Sequence, residues 1–349
     1  MPKSIVGLDF GHGVIRAAEV TAGAGKRKPV LHRYHEVEVP LDAIREGVVT
    51  DPDAVVSALK WLWAVGDFGT KRVVIGMGSQ QVLIRELTLP SMPLKHIKES
   101  LPFRVQELLP LPVEDAVLDF YPIEEFEAEG ERRIRGLLVA ATRESVLANI
   151  AAARAAGLRT EEVDLIPFAL TRAHLPWGAE GTKVIVHVGA VSTNVIVAER
   201  GVPQFIRMLP TGSRDLTQAL ADRLGVRPDE AEELKRRIGI TADEDDPESV
   251  AVARVNAEGA RDVVQAVKTT IAFFENSHPQ TRVEGLVLSG GGAMLRGLGD
   301  QLGAAIGLPV SVGRVDESFS VGSAVDEASF LAAGTAPTVA LALTMRGAA

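Results

Sequence analysis

The chain has 349 residues, 46% of them hydrophobic and 24% charged, which is enough apolar material for about two domains or one large bilobed body. A formal net charge of −9 argues against a nucleic-acid surface, and the absence of cysteine excludes disulfides, thiolate zinc sites and cysteine nucleophiles. No apolar run reaches the roughly 20 residues that span a bilayer, and no signal-peptide core stands at the start. The expectation is therefore a cytoplasmic protein that meets a membrane only through a partner.

Residues 5–20, IVGLDFGHGVIRAAEV, read as a buried strand, a tight Gly11-His12-Gly13 turn and a second strand. A strand carrying Asp9 beside glycines can bring backbone N–H groups and one carboxylate to a shared spot, as a phosphate and its magnesium ion require. Residues 21–29 form a Gly/Lys-rich turn, in which Lys26, Arg27 and Lys28 are solvated rather than a binding patch. Residues 30–39 alternate as a third strand. Asp51 and Pro52 open a helix as N-cap and first-turn residue, with Val55, Leu59, Leu62 and Trp63 at helical spacing. Trp61 and Trp63 are expected to be packing residues. Residues 72–77 return as an apolar strand, so this part is α/β.

The texture changes from Val82. Pro90, Pro93, Pro102, Pro110 and Pro112 separate short helical pieces. One starts at Ser91 or Pro93 and runs through Leu94, Ile97 and Leu101. Another covers Phe103, Val105, Leu108 and Leu109. Strands 117–123 and 134–140 flank an acidic loop. Its Glu124, Glu125, Glu127 and Glu129 lack the interspersed ligands and glycine of a calcium loop, so the expectation is a solvated hairpin tip. Thr142 begins a helix that Gly157 closes. Residues 88–159 hold none of the glycine turns and read as a compact α+β insertion made for contacts, not chemistry.

Residues 161–173 are a strand turning into a helix, with Asp164 ending the strand and Pro167 in the first helical turn. A linker, 174–182, leads to the second lobe. Residues 184–197, VIVHVGAVSTNVIV, then repeat the opening plan: apolar strand, polar position, glycine turn, β-branched strand. Repetition half a chain apart points to a repeated unit, and two such units facing each other would clamp a nucleotide. The turn 210–213, Pro-Thr-Gly-Ser, leads into a helix over 216–224 and offers free N–H donors. Pro228 starts a charged helix on which Glu232 and Lys235 share a face. Spacing leaves both a surface ion pair and a ribose contact open. A long helix over 248–277 carries Val264, Val267, Ile271 and Phe274 on one stripe. Strand 283–288, Ser289, the glycines 290–292 and a helix over 293–306 complete the pattern. Three glycines there let a planar ring or phosphate lie against bare backbone. No Gly-Lys-Ser/Thr follows, so this is not a P-loop.

The order of these features resembles the actin-like ATPase superfamily, and within it the PilM family of type IV pilus assembly proteins. The stretches that carry it are VGLDFGHGVIRAAEV, IRELTLPSMPLKHIKESLPFRVQELLPLPVEDAVLDF, GVRPDEAEELKRRIG, LVLSGGGAMLRGL and the closing VALALTMRG. The resemblance implies an α/β, ribonuclease H-like two-lobed fold with an inserted α+β subdomain. Residues 1–87, 160–176 and 331–349 would make the first lobe, 88–159 the insertion and 177–330 the second lobe. It implies ATP and magnesium in the cleft. Asp9, Gly11, His12 and Gly13 would approach phosphates and metal, with Asp9 as the metal ligand. Gly189, Ser192 and Thr193 would hold phosphates from the other side, with Gly212 nearby. Glu232 and Lys235 would contact ribose or adenine, and Gly290, Gly291 and Gly292 would flank the adenosine. The family's second hairpin begins with Asp where this chain has His187, which implies weak ATP hydrolysis or none. The implied partner is the N-terminal tail of a PilN-like membrane protein, with pilus assembly ATPases as further candidates. That tail would bind around Leu94, Ile97, Leu101, Val105, Leu108 and Leu109. A small-molecule kinase and an FtsA-like filament former are the alternatives. The first lacks its catalytic base here and the second its amphipathic C-terminal helix.

Overall fold

The structure, a computed structural model, describes residues 4–23, 27–78, 81–176 and 178–345. Lys26 of the basic turn and Arg346 and Gly347 of the closing motif lie outside them. Strands β1 (Ile5–Gly11) and β2 (Val14–Thr21) form the first hairpin, and β3 (Val30–Glu38) joins it antiparallel. A small hairpin, β4 (Ile44–Arg45) and β5 (Val48–Val49), precedes α1 (Pro52–Gly66). The Asp51 carboxylate caps α1 by accepting from the N–H groups of Asp53 and Ala54 at 3.1 Å, satisfying donors the helix leaves free. On α1, Trp63 packs as expected, its indole N–H donating to the Thr70 carbonyl at 3.0 Å. Trp61 does not: it lies on the solvent face, 52% exposed.

After β6 (Arg72–Met77) come β7 (Val82–Pro90), α2 (Leu94–Arg104), β8 (Ala116–Ala128) and β9 (Glu131–Thr142). They form a three-stranded antiparallel sheet in the order β7-β9-β8 under α2. The expected second helix is a single 3-10 turn at Gln106–Leu108, because Pro110 and Pro112 follow too closely for a longer run. The acidic segment is not only a loop. Its strands extend through it, and Arg132 and Arg135 pair with Glu125 and Glu124 across the hairpin. Next, α3 (Arg143–Ala155) buries Ala152 and Ala153 in the core under α1. Strand β10 (Arg159–Leu165) and α4 (Ile166–His174) close this part.

The second lobe holds β11 (Thr182–Val188), β12 (Thr193–Glu199) and β13 (Val202–Leu209), then α5 (Ser213–Leu224), α6 (Pro228–Ile238) and α7 (Pro247–Ser277). Helix α6 starts at Pro228 with Asp229 and Glu230 in its first turn and Lys235, Arg236 and Arg237 in its last, a charge order that complements the helix dipole. Strand β14 (Gly285–Ser289), α8 (Leu298–Ile306) and β15 (Val310–Val312) follow. The short β16 (Ser320–Val321), α9 (Glu327–Ala332) and α10 (Thr338–Thr344) return to the first lobe.

The sheet orders make the repeat explicit. The first lobe reads β10-β6-β1-β2-β3-β16 and the second β13-β12-β11-β14-β15. In both, the hairpin's first strand lies between its antiparallel partner and a parallel strand from later in the chain. Helix α10 lies against β1 so closely that a Cβ on Gly7 would stand 1.9 Å from the Ala340 carbonyl oxygen. A shared core, including Ala169, Leu170, Ile185, Ile196 and Ala340, joins the two lobes below the cleft.

Candidate functional site

Between the sheets lies a cavity of about 540 Å³, within the size range of small-molecule sites. The first hairpin contributes Asp9, Gly11 and His12 to its walls, and the second His187, Gly189, Ser192 and Asn194. Glu232 and Arg236 line it from α6, and Gly290 and Gly291 from the turn after β14. The two hairpins and the glycine run, more than 90 residues apart at each step, therefore meet in one place.

Five expected residues stand behind this lining instead. Gly13 makes the turn itself, at φ +71°. The Thr193 hydroxyl is spent donating to the Thr211 carbonyl at 2.8 Å. Gly212 lets α5 approach the second hairpin, since a Cβ there would meet the Ala190 carbonyl oxygen at 2.4 Å. Gly292 packs on Val188, leaving Gly291, where a Cβ would meet nothing, as the open glycine of the three. The run after Ser289 is a 3-10 turn over Gly291–Met294, so the helix expected from residue 293 begins only at Leu298. Lys235 is buried, and its ammonium donates to the Ser213 carbonyl at 3.0 Å, the Thr217 hydroxyl at 2.8 Å and the Glu232 carboxylate at 2.5 Å.

Glu232 is thus held by three donors, Lys235, Thr217 and Arg236. Burial pushes its pKa up, but those hydrogen bonds overcome this and hold it at about 2. This cluster ties α6 to the start of α5 and fixes the carboxylate at the cleft edge. The start of α5 offers fewer free donors than its sequence suggests. The Ser213 and Arg214 N–H groups donate to the Gly189 and Ala190 carbonyls, each at 2.9 Å, and Gly212 N–H donates to the Asp215 carboxylate at 2.9 Å. The docking of α5 on the second hairpin consumes the first two, and the helix's own Asp215 consumes the third.

The two cleft strands differ in charge. Asp9 is buried, pairs across the ladder with Arg16, and has its carboxylate 3.8 Å from that guanidinium. Burial raises its pKa and Arg16 partly offsets this. His187, also buried, pairs across its ladder with Asn194. Burial, assisted by His174 and Arg16, pushes His187 down to about 3, so the ring is neutral at physiological pH. Its Nδ1 meets the Ser289 hydroxyl at 3.2 Å, which meets His174 Nε2 at 2.8 Å. Asn194, 3% exposed, has a side-chain oxygen without a hydrogen-bond partner. Across the cleft mouth, Arg214 donates to His12 Nε2. Arg16, Asn194, Arg214 and Arg236 went unnoticed in the sequence. Their only signal was position one to three residues from a glycine turn or an expected site residue.

The expected partner residues behave differently from a groove. Ile97, Leu101 and Val105 are fully buried with Leu89, Phe120 and Leu138 in the insertion's own core. Leu108 and Leu109 pack on that cluster. Only Leu94 reaches a surface depression, lined also by Met92, Pro93, Ile123 and Ile134. A three-stranded sheet with one helix has no other apolar material with which to cover its inner face.

Repeated hairpins around one cleft, set in two lobes, define an actin-like α/β protein. MreB5 of Spiroplasma citri bound to ADP shares this fold, with a TM-score of 0.55 at 11% identity over 90% of this chain and 94% of that one. A family model described as type IV pilus assembly protein PilM matches residues 7–348, and the chain belongs to that family. A solved PilM-PilN type IV pilus biogenesis complex superimposes with a TM-score of 0.86 at 25% identity, covering 100% of both chains. Cell division protein FtsA of Bacillus subtilis (strain 168) is 21% identical over 225 residues, 58% of this chain and 51% of that protein. The chain thus spans about half the length of this curated relative. Among the described residues no helix is long and apolar enough to cross a membrane.

Proposed function

We propose that this protein is an ATP-binding scaffold of a type IV pilus or pilus-like assembly. It sits at the inner face of the cell membrane by holding the N-terminal cytoplasmic tail of a PilN-like membrane protein. One observation carries the nucleotide half: both glycine hairpins, the open Gly291 and the fixed Glu232 carboxylate face a single cavity. Bare glycine backbone suits a planar base or phosphate, and the unpartnered Asn194 Oδ1 gives a buried acceptor for a ligand hydroxyl or amino group. Asp9, Gly11, His12, Gly189 and Ser192 would then flank the phosphates, with Glu232 and Arg236 toward the ribose. The partner half rests on the similarity to the PilM-PilN complex, and the Leu94 depression is its candidate surface.

The residues present do not suit a resident magnesium ion. Asp9, the cleft carboxylate of the first hairpin, already faces Arg16, and the opposing strand offers the neutral groups His187 and Asn194 in place of a second carboxylate. With His187 in the second hairpin, hydrolysis should be slow. Calorimetric titration with ATP should show saturable binding that Gly291→Val abolishes, since a branched side chain would fill the open wall. A PilN-tail peptide should be captured by the wild type and more weakly by Leu94→Ser. Absence of ATP binding would remove the nucleotide half, and absence of peptide capture the partner half.

A further inference from the structure

We infer that the cleft accepts the phosphate chain of its nucleotide without a divalent cation, the Arg214 guanidinium supplying the positive charge. This rests on the nucleotide reading of the cleft. A phosphate chain brings several negative charges into a partly buried site, and they need either a metal ion, helix N–H donors or a cationic side chain. The first two are scarce here. Asp9, the carboxylate expected to hold magnesium, is buried and faces Arg16 at 3.8 Å, a guanidinium that also donates to Glu36 at 3.0 Å. The opposing strand offers His187 and Asn194, an imidazole and an amide, neither of which carries the negative charge a hard cation favours. The N–H groups that open α5 are bound to the Gly189 and Ala190 carbonyls, and the Asp215 carboxylate already occupies the Gly212 N–H.

Arg214 remains. It lines the cavity, stands at the start of α5 beside the second hairpin and reaches across to the first. Among the described residues its side chain forms no ion pair, and its hydrogen bond goes to the neutral His12 ring. That contact uses one of five N–H donors and none of the charge. A guanidinium so placed can exchange an imidazole nitrogen for phosphate oxygens in a two-pronged, charge-assisted contact, which is worth more than the bond it gives up. Lys235 cannot substitute, because its ammonium is buried against Glu232, Thr217 and Ser213. Arg236 cannot either, since it is paired with Glu232.

The test is calorimetric titration of ATP into the full chain, in magnesium and in excess EDTA. For the wild type the two dissociation constants should agree within about threefold. Arg214→Ala should weaken ATP binding by about tenfold or more in EDTA, and Arg214→Lys by less, because a point charge replaces a planar fork. Melting of the ligand-free variants, which should match wild type because Arg214 is exposed, guards against misfolding. The inference is overturned if chelation weakens wild-type binding by about tenfold or more, or if Arg214→Ala binds within about threefold of wild type in EDTA. Strictly magnesium-dependent binding would sink this inference and spare the nucleotide reading. No ATP binding under either condition would sink both.

Discussion

In the first lobe, the residue two before the turn glycine is Asp9, set opposite Arg16; in the second it is His187, set opposite Asn194. The backbones are built alike: a buried strand, a glycine turn, an antiparallel return and a parallel neighbour. The side chains answer burial in different ways. The first hairpin buries an acid and places a cation beside it. The second uses neutral groups throughout and links His187 through Ser289 to His174 near the linker. One architecture thus tolerates either solution, and the cleft between them has lost the symmetry its topology retains.

The largest expected effect separates the hairpins sterically. Gly290 has φ +80°, and a Cβ there would lie 2.5 Å from the Val188 carbonyl oxygen, an atom that cannot rotate away. Gly290→Val should cost about 3 kcal/mol or more of stability, read from denaturant unfolding. An unchanged midpoint would show that the second lobe relaxes more easily than its packing implies.

The next effect is electrostatic and opposite in sign for the two strands. His187 has its pKa pushed down to about 3, from an ordinary value near 6.5. Its stabilising contribution is complete above pH 6.5 and is lost as pH falls through the folded value. In that window the unfolded chain binds the extra proton, so stability should fall by up to about 1.4 kcal/mol per pH unit for this group. His174, pushed down to about 4 by burial, adds the same trend over a narrower range. Asp9 is raised by burial, so its contribution is present at acid pH and lost as pH rises through its folded value. His187→Gln should flatten the acid limb of a melting-temperature profile, and Asp9→Asn the rise-side limb. Identical profiles for both variants and wild type would erase the distinction.

The smallest effect tests the first turn. Gly13 has φ +71°, yet its nearest obstacle is the end of the Leu41 side chain at 2.8 Å. Gly13→Ala should cost about 1 kcal/mol, the ordinary penalty of a left-handed residue, because Leu41 can move. A loss as large as that of Gly290→Val would mean the first turn is equally confined.

Much of this was readable from the residues. Both hairpins, the α1 cap at Asp51 and the Glu232–Lys235 pair are short-range patterns, and each formed as its spacing implied. Around the site, reading failed where partners are distant. Arg214 meets His12 across about 200 positions, and nothing near either residue announces it. The insertion failed for another reason. The resemblance implies Ile97, Leu101 and Val105 as part of a contact surface, but they are the interior of their own small sheet. Phe103, assigned to a second helix, instead ends α2 at 87% exposure.

By itself, then, the amino-acid order determined the repeated strand-turn-strand units, the glycine backbone at three turns and the two-lobed class. These depend on pattern and backbone freedom within a dozen residues. Only the tertiary structure decided which donors remain available in the cleft. Whether an N–H, a carboxylate or a guanidinium is spent depends on which remote group folding brings beside it: the Ala190 carbonyl for the Arg214 N–H, the Thr217 hydroxyl for the Glu232 carboxylate, His12 for the Arg214 guanidinium.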